Sequence, residues 1–330
     1  MSFLKRSGAD EPGLAGAISS RTARVVHLTH NDLDAVGADA IHRMRYGTGG
    51  VFTIWSSVGK FSHLFSIVAS CAGKGDLLSI SDIGYHHEAE MLAGRAKANG
   101  WVVEWRDHHR WRDEEIRKVE KAVSLLHIDT SVCATAIVAR DLEPADEVAA
   151  EVARVVCDYD LWTQADPRSA VLGQVLQRKV NRDHVRDCLV QGIFTDERIE
   201  RQYTDIRREM RAMMRKSLHR STVLGAKYRI AFAPLYGYPS ETAHFIRDQL
   251  RTDIEVIVGK DGKFSLRSIP PVSHLIAREF GGGGHPNAAG GSFNFTVIER
   301  FAWWFLKRSR HFEDLVKVAE SQRFFLEPAG

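Results

Sequence analysis

The sequence predicts an α/β fold in two parts, a parallel sheet flanked by helices on both faces and a smaller mixed sheet. Two observations predict the first part. Short β-rich runs alternate with helical patterns, as at 25–29, 38–46 and 51–55. Strands separated by helices at this spacing form βαβ units, whose strands are parallel. The second part is indicated by a new strand–helix–strand pattern that ends in an Asp261-Gly262 hairpin turn.

The elements follow in order along the chain. Further β-rich runs of the first part lie at 77–81, 101–105 and 123–128, and further helical patterns at 60–72, 88–98, 133–142 and 146–156. Helical pattern then continues to about residue 218. In the second part, β-rich runs lie at 228–232, 254–258 and 263–267, and helical patterns at 241–249 and 273–279. We therefore expect a mobile N-terminal tail at 1–22, a first domain at 23–193, a helical linker at 194–223 and a smaller domain at 224–330.

Composition and charge exclude several classes of function. The chain has 330 residues, 44% of them hydrophobic, and a net charge of only +3, which argues against a protein that grips long duplexes. No apolar run is long enough to cross a membrane, so no membrane partner is expected. The cysteines form no CxxC pair and are expected to be reduced thiols of a cytoplasmic protein: Cys71, Cys133, Cys157 and Cys188.

Polar clusters follow three of the predicted strands. The clusters are His30 with Asp32 and Asp34, then Asp82, then Asp107 with His108 and His109. Because parallel strands present their carboxyl ends at one edge of a sheet, these side chains are expected to converge there. Carboxylate and imidazole together suit manganese, magnesium or zinc. Each cluster alone also fits a simpler interpretation: a solvated loop, a helix cap, or histidines hydrogen-bonded at a domain boundary.

A run of four glycines, Gly281 to Gly284, precedes His285 in the second part. Consecutive glycines let the backbone approach a ligand closely, so that its N–H groups can face an anion. His285 could donate a hydrogen bond to a phosphate, and Arg267 is the cation of this part best suited to bind a second phosphate. A flexible linker and an exposed hairpin arginine are the alternatives.

In this order, the motifs resemble those of the DHH phosphoesterases, the superfamily of RecJ exonucleases, nanoRNases and cyclic-dinucleotide phosphodiesterases. The first three clusters resemble the metal motifs of the family, and the segment Gly281 to Gly290 resembles the signature of the DHH-associated C-terminal domain. The resemblance runs from residue 30 to 291. One position departs from the pattern, because Ala35 stands where the family often has glycine, and Gly37 comes two residues later.

The resemblance implies two divalent cations, with Mn²⁺ favoured and Mg²⁺ or Co²⁺ as alternatives. His30 and Asp32 would hold one ion, Asp34 and His108 the other, and Asp82 would bridge them. A fourth-motif aspartate completes the set; we prefer Asp158 and keep Asp160 as the alternative. The catalytic residues would be Asp107, His109 and His285, and the substrate-binding residues Arg267, Gly281, Gly282, Gly283, Gly284, His285 and Asn287.

The function implied is that of a two-metal hydrolase acting on phosphate esters. The leading hypothesis is a nanoRNase that releases nucleoside monophosphates from short RNA held between the two domains. The alternatives are a phosphatase of 3′-phosphoadenosine 5′-phosphate, a phosphodiesterase of linear or cyclic dinucleotides, and, in another class, a nucleic-acid-binding protein without catalysis. The expected partner is short RNA or a nucleotide, and a homodimer is left open.

Overall fold

The computed structural model describes residues 11–307 and 309–322. The chain divides into two compact units, Met1–Thr204 and Asp205–Gly330. In the N-terminal unit the strands are β1 Val25–Thr29, β2 Val51–Trp55, β3 Leu77–Ser81, β4 Val102–Asp107 and β5 Leu125–Ile128. Its helices are α1 Glu11–Ser19, α2 Leu33–Tyr46, α3 Phe61–Ser70, α4 Ala89–Ala98, α5 Asp113–Glu120, α6 Ala134–Leu142, α7 Glu147–Asp160, α8 Pro167–Val175 and α9 Arg182–Val190. Helix α10, Glu197–Leu218, contains the point where the chain divides.

The sheet of the N-terminal unit is parallel throughout, in the order β2-β1-β3-β4-β5. All five residues of β1 are buried, as expected of a central strand covered on both faces. The last residue of β1, Thr29, pairs with Ser81 of β3, which in turn pairs with Arg106 of β4. The loops that leave β1, β3 and β4 therefore begin side by side at one edge of the sheet.

Two apolar cores pack in this unit, one built mainly by α1, α3 and α4 and the other by α2, α6, α7, α8 and α9. Helices thus cover both faces of the sheet, and the predicted fold class is confirmed. The predicted strand boundaries agree closely with the observed ones. The helix predicted over 38–46 begins earlier, at Leu33, because Asp32 caps it.

The prediction of a mobile N-terminal tail is wrong for residues 11–22, the part of the tail that the structure describes. Helix α1 contributes Leu14 and Ile18 to the core with α3, and both side chains are buried. These two apolar residues are four apart, so they lie on one face of the helix. Arg21 anchors the segment by an ion pair with Asp76 at 2.8 Å. Residues 1–10 of the predicted tail lie outside the described residues.

The C-terminal unit has a mixed sheet in the order β10-β11-β9-β8-β7-β6. Strands β7 and β8 are parallel and the other pairs antiparallel. Its strands are β6 Thr222–Leu224, β7 Ile230–Pro234, β8 Ile254–Val258, β9 Lys263–Ser268, β10 Gly283–His285 and β11 Ala288–Ser292. Its helices are α11 Pro239–Leu250, α12 Ser273–Glu279, α13 Val297–Leu306 and α14 His311–Gln322. Across the described part of the chain, no helix combines the length and apolarity needed to cross a membrane.

The cysteines differ from the sequence expectation. Cys133, directly before α6, and Cys157 of α7 form a disulfide, with their Cα atoms 5.1 Å apart. The expectation of four reduced thiols is therefore wrong for this pair, because the packing of α6 on α7 brings together residues 24 apart in sequence. Cys71 and Cys188 are free and buried.

Candidate metal centre

The first polar cluster lies where β1 passes into α2. Asp32 accepts a hydrogen bond from the backbone N–H of Ala35 at 3.2 Å through Oδ1, which caps the helix. Its second oxygen, Oδ2, lies 2.7 Å from Nδ1 of His30. Because α2 begins at Leu33, Asp34 falls in its first turn and is buried, whereas Asp32 remains exposed. The alternation of the two aspartates thus points one carboxylate outward and the other inward.

Asp34 is held by the start of α6. Its two carboxylate oxygens accept the backbone N–H groups of Ala134 and Thr135, each at 2.7 Å. The Thr135 hydroxyl also donates to the backbone carbonyl of Asp34 at 2.7 Å. Free N–H groups at a helix N-terminus favour a carboxylate there, so α6 fixes the orientation of this side chain. No local pattern in the sequence predicts these contacts, since they join residues about a hundred positions apart.

Asp82 follows β3 directly and lies between two groups of ligand atoms. It is 3% exposed, and its backbone is in the left-handed region with φ 54°. Its Oδ1 lies 3.4 Å from Nε2 of His108, and its Oδ2 lies 3.8 Å from Nδ1 of His30. Among the described residues, Oδ2 has no hydrogen-bond partner although it is buried.

The donor atoms form two triples that suit a divalent cation each. One triple is His30, Asp32 and Asp82; the other is Asp34, His108 and Asp160. Within each triple the ligand atoms lie within 4.8 Å of one another. His108 places Nε2 3.7 Å from Asp34 Oδ2 and Nδ1 3.6 Å from Asp160 Oδ2. Asp82 is close to both triples, in the position of a bridging ligand.

Asp158, the preferred fourth aspartate, lies in neither triple. Asp158 accepts the backbone N–H groups of Ala165 and Asp166, at 2.8 and 3.1 Å, and the hydroxyl of Ser169. Its carboxylate is therefore occupied in holding the loop before α8. Asp160, the alternative, lies one half-turn further on, beside His108, and its Oδ2 is buried without a hydrogen-bond partner among the described residues.

The carboxylates repel one another strongly. Burial and the neighbouring Asp32 and Asp34 raise the pKa of Asp82 well above its usual range. Burial and the same two neighbours raise the pKa of Asp160 to about 8. A crowd of buried carboxylates with unsatisfied oxygens, beside imidazole nitrogens, is the donor chemistry that divalent cations stabilise. The residues present therefore fit the divalent cations that the family resemblance implies.

His109 is oriented by Asp107 at the end of β4. Its Nδ1 lies 2.8 Å from Oδ1 of Asp107, whose Oδ2 accepts the indole N–H of Trp111 at 2.7 Å. The hydrogen bond to Asp107 raises the pKa of His109. Asp107 is fully buried with both oxygens engaged, so it positions His109 and does not face a phosphate. Asp107 was predicted to be a catalytic residue; its contacts are those of a residue that positions His109.

In the C-terminal unit, the predicted substrate residues cluster around the β10–β11 hairpin. Residues 281–287 are all exposed, including the imidazole of His285. Gly282 is required by the hairpin itself, because a Cβ there would lie 1.9 Å from the carbonyl oxygen of Gly290. Arg267 is half-buried and donates to Ser240 Oγ at 2.7 Å.

Asn287 differs from its predicted role. Its side-chain amide donates to the backbone carbonyls of Ser268 and Ile269, at 3.1 and 2.9 Å. The amide nitrogen therefore ties the hairpin to the end of β9, which leaves only the side-chain oxygen for a ligand.

Comparison with known proteins finds similarities in sequence and in fold. No family model matches the chain. The chain is 24% identical over 308 residues to oligoribonuclease NrnB of Bacillus subtilis, covering 83% of this chain and 74% of NrnB. Its fold is similar to that of a RecJ exonuclease bound to manganese, with a TM-score of 0.54 at 16% identity, covering 96% of each chain. The chain is thus similar in sequence to an oligoribonuclease and in fold to a RecJ exonuclease.

A second solved structure with the same fold is the pGpG-specific phosphodiesterase PggH of Vibrio cholerae. The TM-score is 0.53 at 12% identity, covering 90% of this chain and 99% of PggH. At these identities the two structures show a shared DHH-family fold. The resemblance to the DHH phosphoesterases, predicted from the ordered motifs, agrees with these similarities in sequence and fold.

Proposed function

We propose that the protein is a divalent-metal-dependent phosphoesterase that hydrolyses short oligoribonucleotides to nucleoside monophosphates. The observation that carries this proposal is the pair of donor triples, adjoining at Asp82, with buried carboxylate oxygens that have no hydrogen-bond partner among the described residues. A pair of divalent cations held there supplies charge to the phosphoryl oxygens and a water that is nucleophilic near neutral pH. Mn²⁺ is the favoured ion, with Mg²⁺ and Co²⁺ as alternatives.

The surrounding residues have separate roles in this proposal. Asp34, fixed by the start of α6, and Asp82 set the positions of the cations. The hydrogen bond to Asp107 raises the pKa of His109, and the protonated imidazole would donate a hydrogen bond to a non-bridging oxygen, where negative charge builds up in the transition state. Arg267 and His285 of the C-terminal unit bind a phosphate of the substrate as cation and hydrogen-bond donor.

Short RNA is favoured as the substrate by the similarity to NrnB, an oligoribonuclease. The modest net charge of +3 agrees with a small anionic substrate. Phosphatase action on 3′-phosphoadenosine 5′-phosphate and cleavage of dinucleotides are the alternatives, the latter favoured by the shared fold with PggH. A cytoplasmic location, where short RNA arises, is part of the proposal.

A binding protein without catalysis is the competing proposal from another class. A degenerate metal centre would be expected to lack at least one donor. Here each predicted donor except Asp158 lies in one of the two triples, and Asp160 takes the place of Asp158. The complete donor set therefore favours the enzyme.

The test is Mn²⁺-dependent hydrolysis of a panel: 5′-labelled RNA of increasing length, 3′-phosphoadenosine 5′-phosphate, and linear and cyclic dinucleotides. The proposal expects the shortest RNAs to be cleaved fastest, and Asp82→Asn to abolish turnover. Lys317→Gln, an exposed lysine of α14, serves as the control and should turn over like the wild type. Turnover that persists in Asp82→Asn contradicts the metal assignment, and no turnover of any substrate with Mn²⁺ bound favours the binding protein.

A further inference from the structure

A second cluster of charged and aromatic side chains lies in the C-terminal unit, away from the glycine-rich hairpin. We call it the basic–aromatic cluster; its members are Lys216, Arg220, Tyr236, Lys260, Trp304 and Lys307. They come from the end of α10, the loops after β7 and β8, and the end of α13. None of them belongs to the predicted substrate residues.

The cations of this cluster surround two aromatic rings. Lys216 Nζ lies 4.2 Å from the ring centroid of Tyr236, and Arg220 donates to the Tyr236 hydroxyl at 2.7 Å. Lys260 Nζ and Lys307 Nζ lie 4.0 and 4.3 Å from the ring centroid of Trp304. The two rings are edge-to-face with centroids 6.5 Å apart, so the four cations share one patch.

Lys307 is the residue that a structural role does not explain. It is 8% exposed, and its Nζ is buried with no hydrogen-bond partner among the described residues. Its backbone is also in the left-handed region, with φ 54°, at the C-cap of α13. An ammonium group has three donors, and leaving them unsatisfied in a buried position is costly. The contacts with Trp303 and Trp304 offset only part of this cost.

The described residues give the cluster an excess of positive charge. Among the described residues, no carboxylate lies within ion-pairing distance of Lys216, Arg220, Lys260 or Lys307. Burial and the neighbouring Arg220, Lys260 and Lys216 lower the pKa of Lys307 to about 8. Four cations this close repel one another, and an anion among them would relieve the repulsion and supply acceptors for Lys307.

We propose that the basic–aromatic cluster binds a phosphate of an oligonucleotide strand, at a site distinct from the glycine-rich hairpin. The proposal rests on the proposed function only in taking an oligonucleotide as the ligand. The bases of such a strand can stack on the aromatic rings of Tyr236 and Trp304. Free phosphate has no base and would not use these rings.

The register of the sheet separates the two sites. On one side, Arg267 of β9 pairs with Glu255 near the start of β8. On its other side, Arg267 pairs with Ala288 of β11, which in turn pairs with His285 of β10. Lys260 instead follows the end of β8, beyond Val258. Strand β7 is parallel to β8, so the loop that carries Tyr236 leaves the sheet at the same end as Lys260. The backbone pairing of Arg267 and of the hairpin that carries His285 is therefore with the start of β8, whereas Tyr236 and Lys260 follow the other end of the central strands; only the guanidinium of Arg267 reaches towards that end, where it donates to Ser240 Oγ.

The test is fluorescence anisotropy of 5′-labelled RNA of about ten nucleotides, titrated with the full chain in EDTA so that no hydrolysis occurs. The variants are Lys307→Gln, which removes the buried ammonium, and Lys260→Gln, an exposed position that does not endanger folding. We expect each to weaken binding about 5-fold and to reduce the slope of log K against log[NaCl] by about 0.7. Lys317→Gln is the control, because it is also a lysine-to-glutamine change, and it should have the affinity and the salt slope of the wild type.

Three results would overturn the proposal. The first is wild-type affinity and salt slope in both Lys307→Gln and Lys260→Gln. The second is competition by inorganic phosphate as effective as competition by unlabelled RNA, which would mean an ordinary phosphate site. The third is binding to anionic phospholipid vesicles but not to RNA, since the exposed apolar face of α13, with Ile298, Phe301 and Phe305, lies nearby. Hydrolysis assayed separately with Mn²⁺ tests the proposed function, so the two failures are distinguishable.

Discussion

Two aspartates on the same turn of α7 have different environments, and this difference decides which can hold a cation. Asp158 is saturated with hydrogen bonds from the loop before α8, which lower its pKa. Asp160 has no such donors and faces His108 and Asp34, which leaves its charge uncompensated. Position separates the two: the Asp158 carboxylate faces the loop before α8, whereas Asp160 lies beside His108 and Asp34, where a cation would relieve the repulsion between the carboxylates.

We therefore predict opposite effects for two matched variants. Asp160→Asn should lower Mn²⁺ affinity and turnover by about 100-fold or more, because it removes a direct donor. Asp158→Asn should leave Mn²⁺ affinity within a few-fold but lower the free energy of unfolding by about 1–3 kcal/mol, because the loop loses acceptors. Calorimetric titration with Mn²⁺ and urea unfolding measure the two effects. The reverse pattern would restore Asp158 as the ligand.

The pair Asp107 and His109 predicts a change in the pH profile of hydrolysis. If protonated His109 assists the reaction, activity falls as pH rises through its pKa, which Asp107 raises. Asp107→Asn removes the negative charge, so this alkaline limb should move to lower pH and kcat should fall by about 10²-fold. The measurement is kcat against pH with Mn²⁺ saturating. An unchanged alkaline limb in a variant that folds normally would exclude this role of His109.

At the scale of elements, the metal centre depends on the close approach of α2 to α6 and α7. Gly37 lies at this contact, where a Cβ would lie 2.6 Å from Thr135 Oγ1 and 2.9 Å from Val156 Cγ2. The same Thr135 hydroxyl donates to the backbone of Asp34. A glycine is therefore needed at position 37, two residues after the position where the family often has one.

Gly37→Ala is predicted to lower the free energy of unfolding by about 1–3 kcal/mol, because α2 must move away from α6. The same movement should weaken Mn²⁺ binding, since α6 orients Asp34. Gly94→Ala is the matched control: it lies on the exposed face of α4 with nothing within 4 Å of a Cβ, and should stabilise the protein by about 0.5–1 kcal/mol. Equal stability of Gly37→Ala and the wild type would contradict the packing argument.

The helices and strands, and the order of the motifs, could be predicted because each depends on the residue pattern of a short stretch of sequence. Strand runs such as 25–29 and 51–55, with intervening helices, specify the parallel sheet, and a parallel sheet places the clusters after β1, β3 and β4 at one edge. The choice between Asp158 and Asp160 was not predictable, because it depends on a hydrogen-bonded loop that forms only in the folded chain. The Cys133–Cys157 disulfide and the order of α1 depend on tertiary packing in the same way.

At the scale of the whole molecule, a buried polar network underlies the central strands. His27 of β1 lies 2.8 Å from Asp39 through Nδ1 and 2.7 Å from Ser81 through Nε2. His42 stacks on His27 with ring centroids 4.1 Å apart and lies 2.8 Å from the hydroxyl of Ser79. The network joins β1, β3 and α2, so its protonation affects the stability of the entire N-terminal unit.

The network predicts a loss of stability in mild acid. Burial and the neighbouring His27 lower the pKa of His42 well below its usual value. Below about pH 6.5 the unfolded chain binds a proton at His42 that the folded chain does not, so the free energy of unfolding falls as pH decreases, by up to about 1.4 kcal/mol per pH unit. Asp39, whose pKa is lowered, adds a loss only below its ordinary value of 3.8, so the two effects occupy separate pH ranges.

Urea unfolding followed by tryptophan fluorescence at about pH 7 and about pH 5 measures this loss. His42→Gln can keep a hydrogen bond to Ser79 but binds no proton. The variant should therefore be less stable than the wild type at neutral pH, and the difference should shrink at about pH 5. Histidines outside this network cancel in the comparison, whereas His27 stacks on His42, so the comparison measures the effect of the pair. A stability difference that stays constant with pH would mean that His42 binds a proton as readily in the folded protein as in the unfolded chain, which would contradict this prediction.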